Sequence, residues 1–323
     1  MTFHPDTLPN LKGKVFIVTG GNSGIGYYTV AHLAGHGAHV YMCARSTEKG
    51  TAAIASIKKM HPSANIDLLQ MDLMDLTSVV AAAKHLLALE TALHGLVNNA
   101  GIMATPFEMT KDGYEAQWQT NYLAHWIFTD RLLPLLRRTA KTLPPGGVRI
   151  VNLTSSGHLS APKAGINFED LSLKDGGPWQ RYGQSKLGNI LHARTLHKMY
   201  GPGSPSARNG EGEIWVMSVH PGVVETNLAA SVGGSGSVMS TIFSVSISAL
   251  RMFGLMYPAD KGSWTSLFGV ASRDMKAEQS GTYFEVFGRF AEPKWQSSAA
   301  KDAKLAERLE KWTREVIIGS SNL

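Results

Sequence analysis

Tyr182 and Lys186 stand four residues apart in the run Tyr182-Gly183-Gln184-Ser185-Lys186. On a helix, that spacing puts both side chains on one face. The chemistry it allows is proton transfer, because a free phenol titrates near about pH 10 and a neighbouring ammonium favours its phenolate, bringing it toward neutrality. Taken alone, such a pair is a common accident of surface helices. Its meaning depends on what else the chain sets beside it.

Near the start of the chain, Thr19-Gly20-Gly21-Asn22-Ser23-Gly24-Ile25-Gly26 follows an apolar strand and opens a helix. Glycines let a backbone turn tightly and approach a pyrophosphate, and a helix N-terminus offers free N–H groups to the anion. Gly20, Asn22, Ser23, Gly24, Ile25 and Gly26 are therefore candidate dinucleotide contacts. The loop after the second strand is Cys43-Ala44-Arg45-Ser46, with no carboxylate before Glu48. A carboxylate there would bind ribose hydroxyls and repel a 2′-phosphate; Arg45 and Ser46 do the reverse, which points to NADPH/NADP. In Met71-Asp72-Leu73, at the third strand's end, Asp72 either accepts from an adenine amino group or caps the next helix. Asn98-Asn99-Ala100-Gly101 ends the fourth strand; the small residues let a cofactor lie against backbone, and Asn99 can brace neighbouring strands.

The elements that must position these residues alternate along the first 155 positions. Lys14–Thr19, Ala38–Cys43, Ile66–Met71, Gly95–Asn98 and Val148–Leu153 read as strands that are nearly continuous apolar runs. Ile25–His36, Thr47–Met60, Thr77–Thr91 and Asp112–Arg138 read as helices between them. A helix at Gln180–Tyr200, a strand at Ile214–Val219 and a helical segment around Ala299–Ile317 follow, with a Gly/Pro/Ser-rich surface insertion at Gly201–Gly212. The expected fold is α/β, a single Rossmann-type doubly wound parallel sheet in one domain, residues 1–323. An apolar stretch, Leu228–Tyr257, within a lobe inserted at about residues 223–257, reads equally as a small helical substrate-covering lobe or as core.

With the Gly motif, Asn98-Asn99-Ala100-Gly101, Asn121, Ser155 and the Tyr182/Lys186 pair in this order, the chain resembles the short-chain dehydrogenase/reductase family from about Lys14 to Phe284. Asp112-Gly113-Tyr114-Glu115, Asn121-Tyr122-Leu123-Ala124-His125, His220-Pro221-Gly222-Val223-Val224-Glu225-Thr226 and Ser280-Gly281-Thr282-Tyr283-Phe284 are similar to its retinol-dehydrogenase-like branch, here read without a membrane anchor. The resemblance implies that Tyr182 gives a proton to the substrate oxygen, and that Lys186 activates it and binds the nicotinamide ribose. It implies that Ser155, with Ser156 as competitor, holds the carbonyl, and that Asn121 binds a water passing protons to Lys186. Pro221, Gly222, Val224 and Thr226 would cross the nicotinamide. The implied reaction is NADPH-dependent reduction of a ketone or aldehyde of a lipophilic small molecule, or the reverse. Unanchored members include tailoring ketoreductases of secondary metabolism, so a polycyclic or polyketide-like ketone is as plausible a substrate as an aldehyde. The family often forms a homodimer through the helices that here are Asp112–Arg138 and Gln180–Tyr200.

Composition narrows the alternatives. The 31 basic and 25 acidic residues give a charge of +6 scattered along the chain, so nucleic acid is not an expected partner. A lone cysteine, Cys43, allows no internal disulfide and suits a reducing, cytoplasmic setting as a small buried residue. The first ten residues lack a basic start and apolar run, the serines and Arg251 interrupt Val238–Tyr257, and Ser321-Asn322-Leu323 is a poor peroxisomal address. No secretion, transmembrane span or peroxisomal import is expected. His125, His158, His192 and His220 share no metal-ligand spacing, and no Gly-x-Ser-x-Gly elbow surrounds Ser155. Two rivals remain open on the same fold: a non-redox isomerase or dehydratase, and a nucleotide-sensing binding protein.

Overall fold

The computed structural model describes residues 3–225, 256–285, 289–290 and 295–319. The apolar runs form β1 (Val15–Thr19), β2 (His39–Ala44), β3 (Asn65–Gln70), β4 (Gly95–Asn98), β5 (Val148–Leu153), β6 (Ile214–Val219) and β7 (Tyr283–Glu285), all parallel. A two-residue β8 (Arg289–Phe290) pairs antiparallel with β7. Strands β1, β4 and β6 are buried along their whole length, as strands covered on both faces must be; β3, at the edge, mixes exposed and buried positions. The order is β3-β2-β1-β4-β5-β6-β7-β8. From β1 the chain builds outward to β3, then crosses over to lay β4 on β1's other side. The C-terminal ends of β1 and β4 therefore part at a switch point, where doubly wound sheets hold their ligands.

The described helices are α1 (Gly24–Gly35), α2 (Thr47–Met60), α3 (Leu76–Leu89), α4 (Ala116–Trp118), α5 (Ala124–Lys141), α6 (Pro178–Tyr200), α7 (Pro205–Arg208), α8 (Ala259–Ala271), α9 (Ser298–Lys301) and α10 (Ala303–Gly319). They cover two apolar layers. One layer joins α1, α2 and α8 to the sheet through residues such as Val30, Leu33, Ile57 and Leu267. The other joins α3, α5, α6 and α10 through Leu76, Phe128, Leu187 and Leu309.

The sequence-based boundaries agree within a residue or two except in three places. The helix expected over Asp112–Arg138 runs on to Lys141 and begins only at Ala116, because Gly113 takes a positive φ of 83° and Met109 bridges to Glu115, making Thr110–Glu115 a tight turn. The C-terminal helical segment is two helices, broken where the Asp302 carboxylate accepts from the backbone N–H groups of Lys304 and Leu305 (2.8 and 3.1 Å) and caps α10. The Gly201–Gly212 insertion contains α7 and folds back to the body, since a Cβ on Gly212 would meet the Ala140 backbone at 2.5 Å. Helix α8 and strands β7 and β8 went unread in the sequence. Almost all of the expected lobe, and Thr226 with it, lies outside the described residues.

Helix α10 lies across α5 and α6. Tyr122 and Thr313 hydroxyls are 2.8 Å apart, the Trp126 indole donates to Glu310 (2.8 Å), and Arg314 bonds Asp130 and Glu310 (3.2 and 2.7 Å). Part of the face that these two helices present is thus covered within the chain. Among the described residues no helix is long and apolar enough to cross a membrane.

Candidate active site

The crevice beyond β1 and β4 is a cleft lined by Gly20, Asn22, Arg45, Asp72, Leu73, Ala100 and Gly101, seven of the residues singled out as cofactor contacts. Its shape depends on glycine at two positions. Gly20 turns with a φ of 61°, and a Cβ on Gly26 would lie 2.6 Å from the Asn99 amide nitrogen. Ser23 precedes α1 in extended geometry and makes no side-chain cap bond, so the first N–H groups of the helix, from Gly24 and Ile25 onward, remain available to an anion. Asn99 does brace the strands: its amide donates to the Thr19 carbonyl (2.7 Å) and its backbone N–H to Thr19 Oγ1 (2.9 Å).

At the cleft rim Arg45 is exposed, while Ser46 caps α2 by accepting from the Lys49 N–H (3.2 Å), which leaves its hydroxyl hydrogen free to donate. Asp72 does not cap α3; Asp75 does, accepting from Thr77 and Ser78. One Asp72 oxygen accepts from the Met74 N–H (2.9 Å) in a local turn. The sequence reading missed Cys43, Ala44, Met71, Met74, Ile102 and Thr120 in the lining. Thr120 carries a buried hydroxyl with no partner, and helical phase relative to Asn121 was the one available signal.

The chemical end gathers around α6. Ser155 lies two residues beyond β5 and hydrogen-bonds the Tyr182 phenol, also accepting from the Gly157 N–H (3.0 Å); Ser156 is exposed. Ser155 therefore prevails over its competitor as the residue in contact. The approach is close because Gly157 and Gly183 lack side chains: a Cβ on the first would lie 2.6 Å from Tyr182 Cε1, and on the second 2.6 Å from the Ala161 nitrogen. Lys186 Nζ sits 5.8 Å from the centre of the Tyr182 ring and donates to the Leu153 carbonyl (3.2 Å). Burial dominates the electrostatics of both groups. It pushes the Tyr182 phenol up to about 12, against the lowering effect of the Ser155 bond, and the Lys186 amine down to about 8. Burial prevails over the lowering effect that the spacing suggested, and the buried phenol rests protonated.

Asn121 lies in a π-helical turn, Gln119–Leu123, between α4 and α5. Its amide makes three hydrogen bonds: Oδ1 accepts from the Ile102 N–H (2.8 Å), and Nδ2 donates to the Ile102 carbonyl and to Ser185 Oγ (2.9 Å each). Gly101 joins the two halves of the site, since a Cβ there would lie 3.0 Å from Asn121 Oδ1 and 3.2 Å from Lys186 Nζ. His125 ties this turn to the nucleotide loop. Thr19 Oγ1 accepts the N–H groups of Asn99 and Ala100, so its proton goes to His125 Nε2 (2.8 Å), and His125 Nδ1–H then donates to the Asn121 carbonyl (3.1 Å). Burial pushes that imidazole down to about 4, which keeps it neutral.

His158 cannot serve Ser155 as a base. Its Nδ1 donates to the Ser155 carbonyl (2.8 Å) and its Nε2 accepts from the Ser297 N–H (3.3 Å). Glu115 and Arg181 make a buried ion pair at 3.4 Å, and Arg181 also donates to the Gly176 carbonyl (2.6 Å), anchoring the start of α6 one residue before Tyr182. Pro221 and Gly222 follow β6, with Gly222 at a φ of 89°. The Val224 side chain packs against α8, close to where a Cβ on Gly262 would sit, near Ile25.

Residues 14–167 match the family model described as short chain dehydrogenase. The chain is 51% identical over 314 residues to the short-chain dehydrogenase/reductase drtF of Aspergillus calidoustus, covering 96% of each. It is 34% identical over 301 residues to mouse retinol dehydrogenase 12, covering 93% of this chain and 84% of the relative. A crystal structure of a putative uncharacterized protein from Mycobacterium Paratuberculosis superposes with a TM-score of 0.71 at 28% identity, covering 98% and 97% of the two chains.

Proposed function

The chain belongs to the short-chain dehydrogenase/reductase family of oxidoreductases, and on that premise we propose that it is an NADPH-dependent enzyme interconverting a carbonyl and an alcohol on a lipophilic small molecule, with Tyr182 as proton donor. One observation carries the reading: a buried phenol, protonated at rest, hydrogen-bonded by Ser155 and lying beside the Lys186 amine at the end of a nucleotide-shaped cleft. When bound, the dihydronicotinamide supplies the hydride. Ser155 holds the substrate oxygen against Tyr182, and the phenol transfers its proton there as negative charge develops. Ser155 and the Lys186 ammonium then stabilise the phenolate left behind. In this reading Asn121 fixes the π turn and orders a water that passes protons to Lys186. Residues 1–323 work as one catalytic domain in this reading, with the lobe around 223–257 as substrate cover.

The residues fit the cofactor. Ser23, Gly24 and Ile25 present uncapped N–H groups for the pyrophosphate, Asp72 retains an oxygen for the adenine amino group, and Arg45 with the Ser46 hydroxyl meets a 2′-phosphate. The test is absorbance of the reduced nicotinamide during turnover of a panel of lipophilic ketones and aldehydes. Stoichiometric loss of NADPH is expected. Product formed without net loss would instead favour an isomerase or dehydratase, and nucleotide binding with no turnover would favour a sensor.

A further inference from the structure

Beside Tyr182 there are two shielded polar atoms that the proton-transfer scheme does not use, one on Tyr283 and one on His220. Tyr283 is on β7, and its ring packs edge-on against His158 at 5.3 Å, the imidazole tethered to the Ser155 carbonyl. The Tyr283 phenol also lies within electrostatic reach of the Glu285 carboxylate and, more weakly, of the Tyr182 phenol. His220 follows β6 directly, and its backbone N–H donates to the Phe284 carbonyl (2.8 Å). Ser218 is in register with Tyr283, and positions two apart on a strand share a face, so His220 and Tyr283 look to the same side of the sheet, the side that α6 covers.

The hydroxyl of Tyr283 and Nδ1 of His220 are both shielded from solvent and both lack a hydrogen-bond partner. Among their neighbours, His158 uses both nitrogens, Ser155 bonds Tyr182 and Gly157, and Thr154 donates to the Lys186 carbonyl, while the Glu285 carboxylate shares the Tyr283 face of β7. Burial holds Tyr283 as a neutral phenol and His220 as a neutral imidazole, so the pair offers donor and acceptor capacity without charge. A phenylalanine at position 283 would fill the same apolar space with no unmet polar group, as Phe284 does on the other face. A buried hydroxyl is worth its desolvation only when something bonds it.

We propose that Tyr283 and His220 form a subsite for a second oxygen of the substrate, so that the preferred substrates are lipophilic carbonyl compounds or alcohols bearing a further hydroxyl or carbonyl group. This deepens the oxidoreductase reading and rests on it. A site built to bond a substrate oxygen discriminates strongly against the analogue that lacks it, because its own polar groups are then left unpaired.

The probes are trans-1-decalone, with one oxygen, and a series of decahydronaphthalene diones in which the second carbonyl occupies successive ring positions. Wild type should prefer at least one dione over 1-decalone by on the order of tenfold, expressed mainly in KM. In Tyr283→Phe, and independently in His220→Leu, the ratio between that dione and 1-decalone should fall toward one. A merely structural role would change both substrates together and leave the ratio intact. The same pair is titrated calorimetrically into the NADP-loaded protein, so the subsite is read even without turnover. Absence of any turnover with retained dione preference would overturn the oxidoreductase reading and keep the subsite. Equal affinity for every probe, or a preference surviving both substitutions, would overturn the subsite.

Discussion

Because the Tyr182 phenol is buried and protonated at rest, removing its hydroxyl should remove the proton rather than the fold or the nucleotide site. Tyr182→Phe is expected to lower kcat by about two to four orders of magnitude, the range of general acid–base catalysis, with NADP affinity retained; wild-type turnover would refute the assignment. Lys186 carries a different dependence. Burial brings its amine down to about 8, so the free protein holds an ammonium below that pH and a neutral amine above it. NADP affinity, measured by calorimetry, should weaken as pH rises through about 8, and Lys186→Arg should lack that step because a guanidinium stays charged. At the cleft rim, losing one arginine–phosphate contact, about 1.5–3 kcal/mol, corresponds to roughly 10- to 150-fold in affinity. Arg45→Asp should go further, repelling the 2′-phosphate and accepting from the ribose hydroxyls of NADH. Comparing kcat/KM for the two cofactors in both proteins checks it, and an unchanged ratio would make Arg45 a bystander.

The packing of one element on another decides whether these groups meet. Helix α6 approaches the 3-10 turn Ser156–Ser160 so closely that a Cβ on Gly183 would lie 2.6 Å from the Ala161 nitrogen, and backbone cannot yield as a flexible side chain does. Gly183→Ala should therefore cost about 1–3 kcal/mol of stability, seen as a lowered Tm, and should reduce kcat by parting Tyr182 from Ser155. Nucleotide affinity should change little, since the cleft belongs to β1, β2, β3 and β4. The π turn at Gln119–Leu123 works at the same scale. It places the Asn121 amide between the Ile102 backbone and Ser185, and it is held from the nucleotide side by the Thr19–His125 bond.

Across the whole molecule, α10 seals the layer formed by α5 and α6. Tyr122 and Trp126 are 1% and 2% exposed beneath it, with an indole, a hydroxyl and an aspartate bonded to Glu310, Thr313 and Arg314. Ending the chain before Ala303 should uncover that apolar face and drive self-association, measured as mass by light scattering after gel filtration. The full-length chain should keep its mass when Trp126 is substituted, because pairing through α5 and α6 would first have to displace α10. A truncated chain with unaltered mass would count against this role for the helix.

Much of the fold was legible because its signals are local. Unalternating apolar runs specify strands buried on both faces, and Gly-rich turns and the four-residue Tyr182/Lys186 spacing mark where the chain must bend or align side chains. The same locality made Arg45, Asp72 and Ser155 readable, since each follows a recognisable strand. What the sequence could not contain were quantities set by contacts between distant segments. Whether Ser155 or Ser156 reaches the phenol depends on how α6 docks on the Ser156–Ser160 turn, and whether Asp72 or Asp75 caps α3 depends on backbone geometry. The resting protonation of Tyr182 also reversed the local expectation, because a neighbouring lysine can be counted along a helix, whereas desolvation comes from everything that packs around the pair. Helix α10 over α5 and α6, and the packing of Tyr283 against His158, belong to the same class: they join residues far apart in the chain, and only the folded packing brings them together.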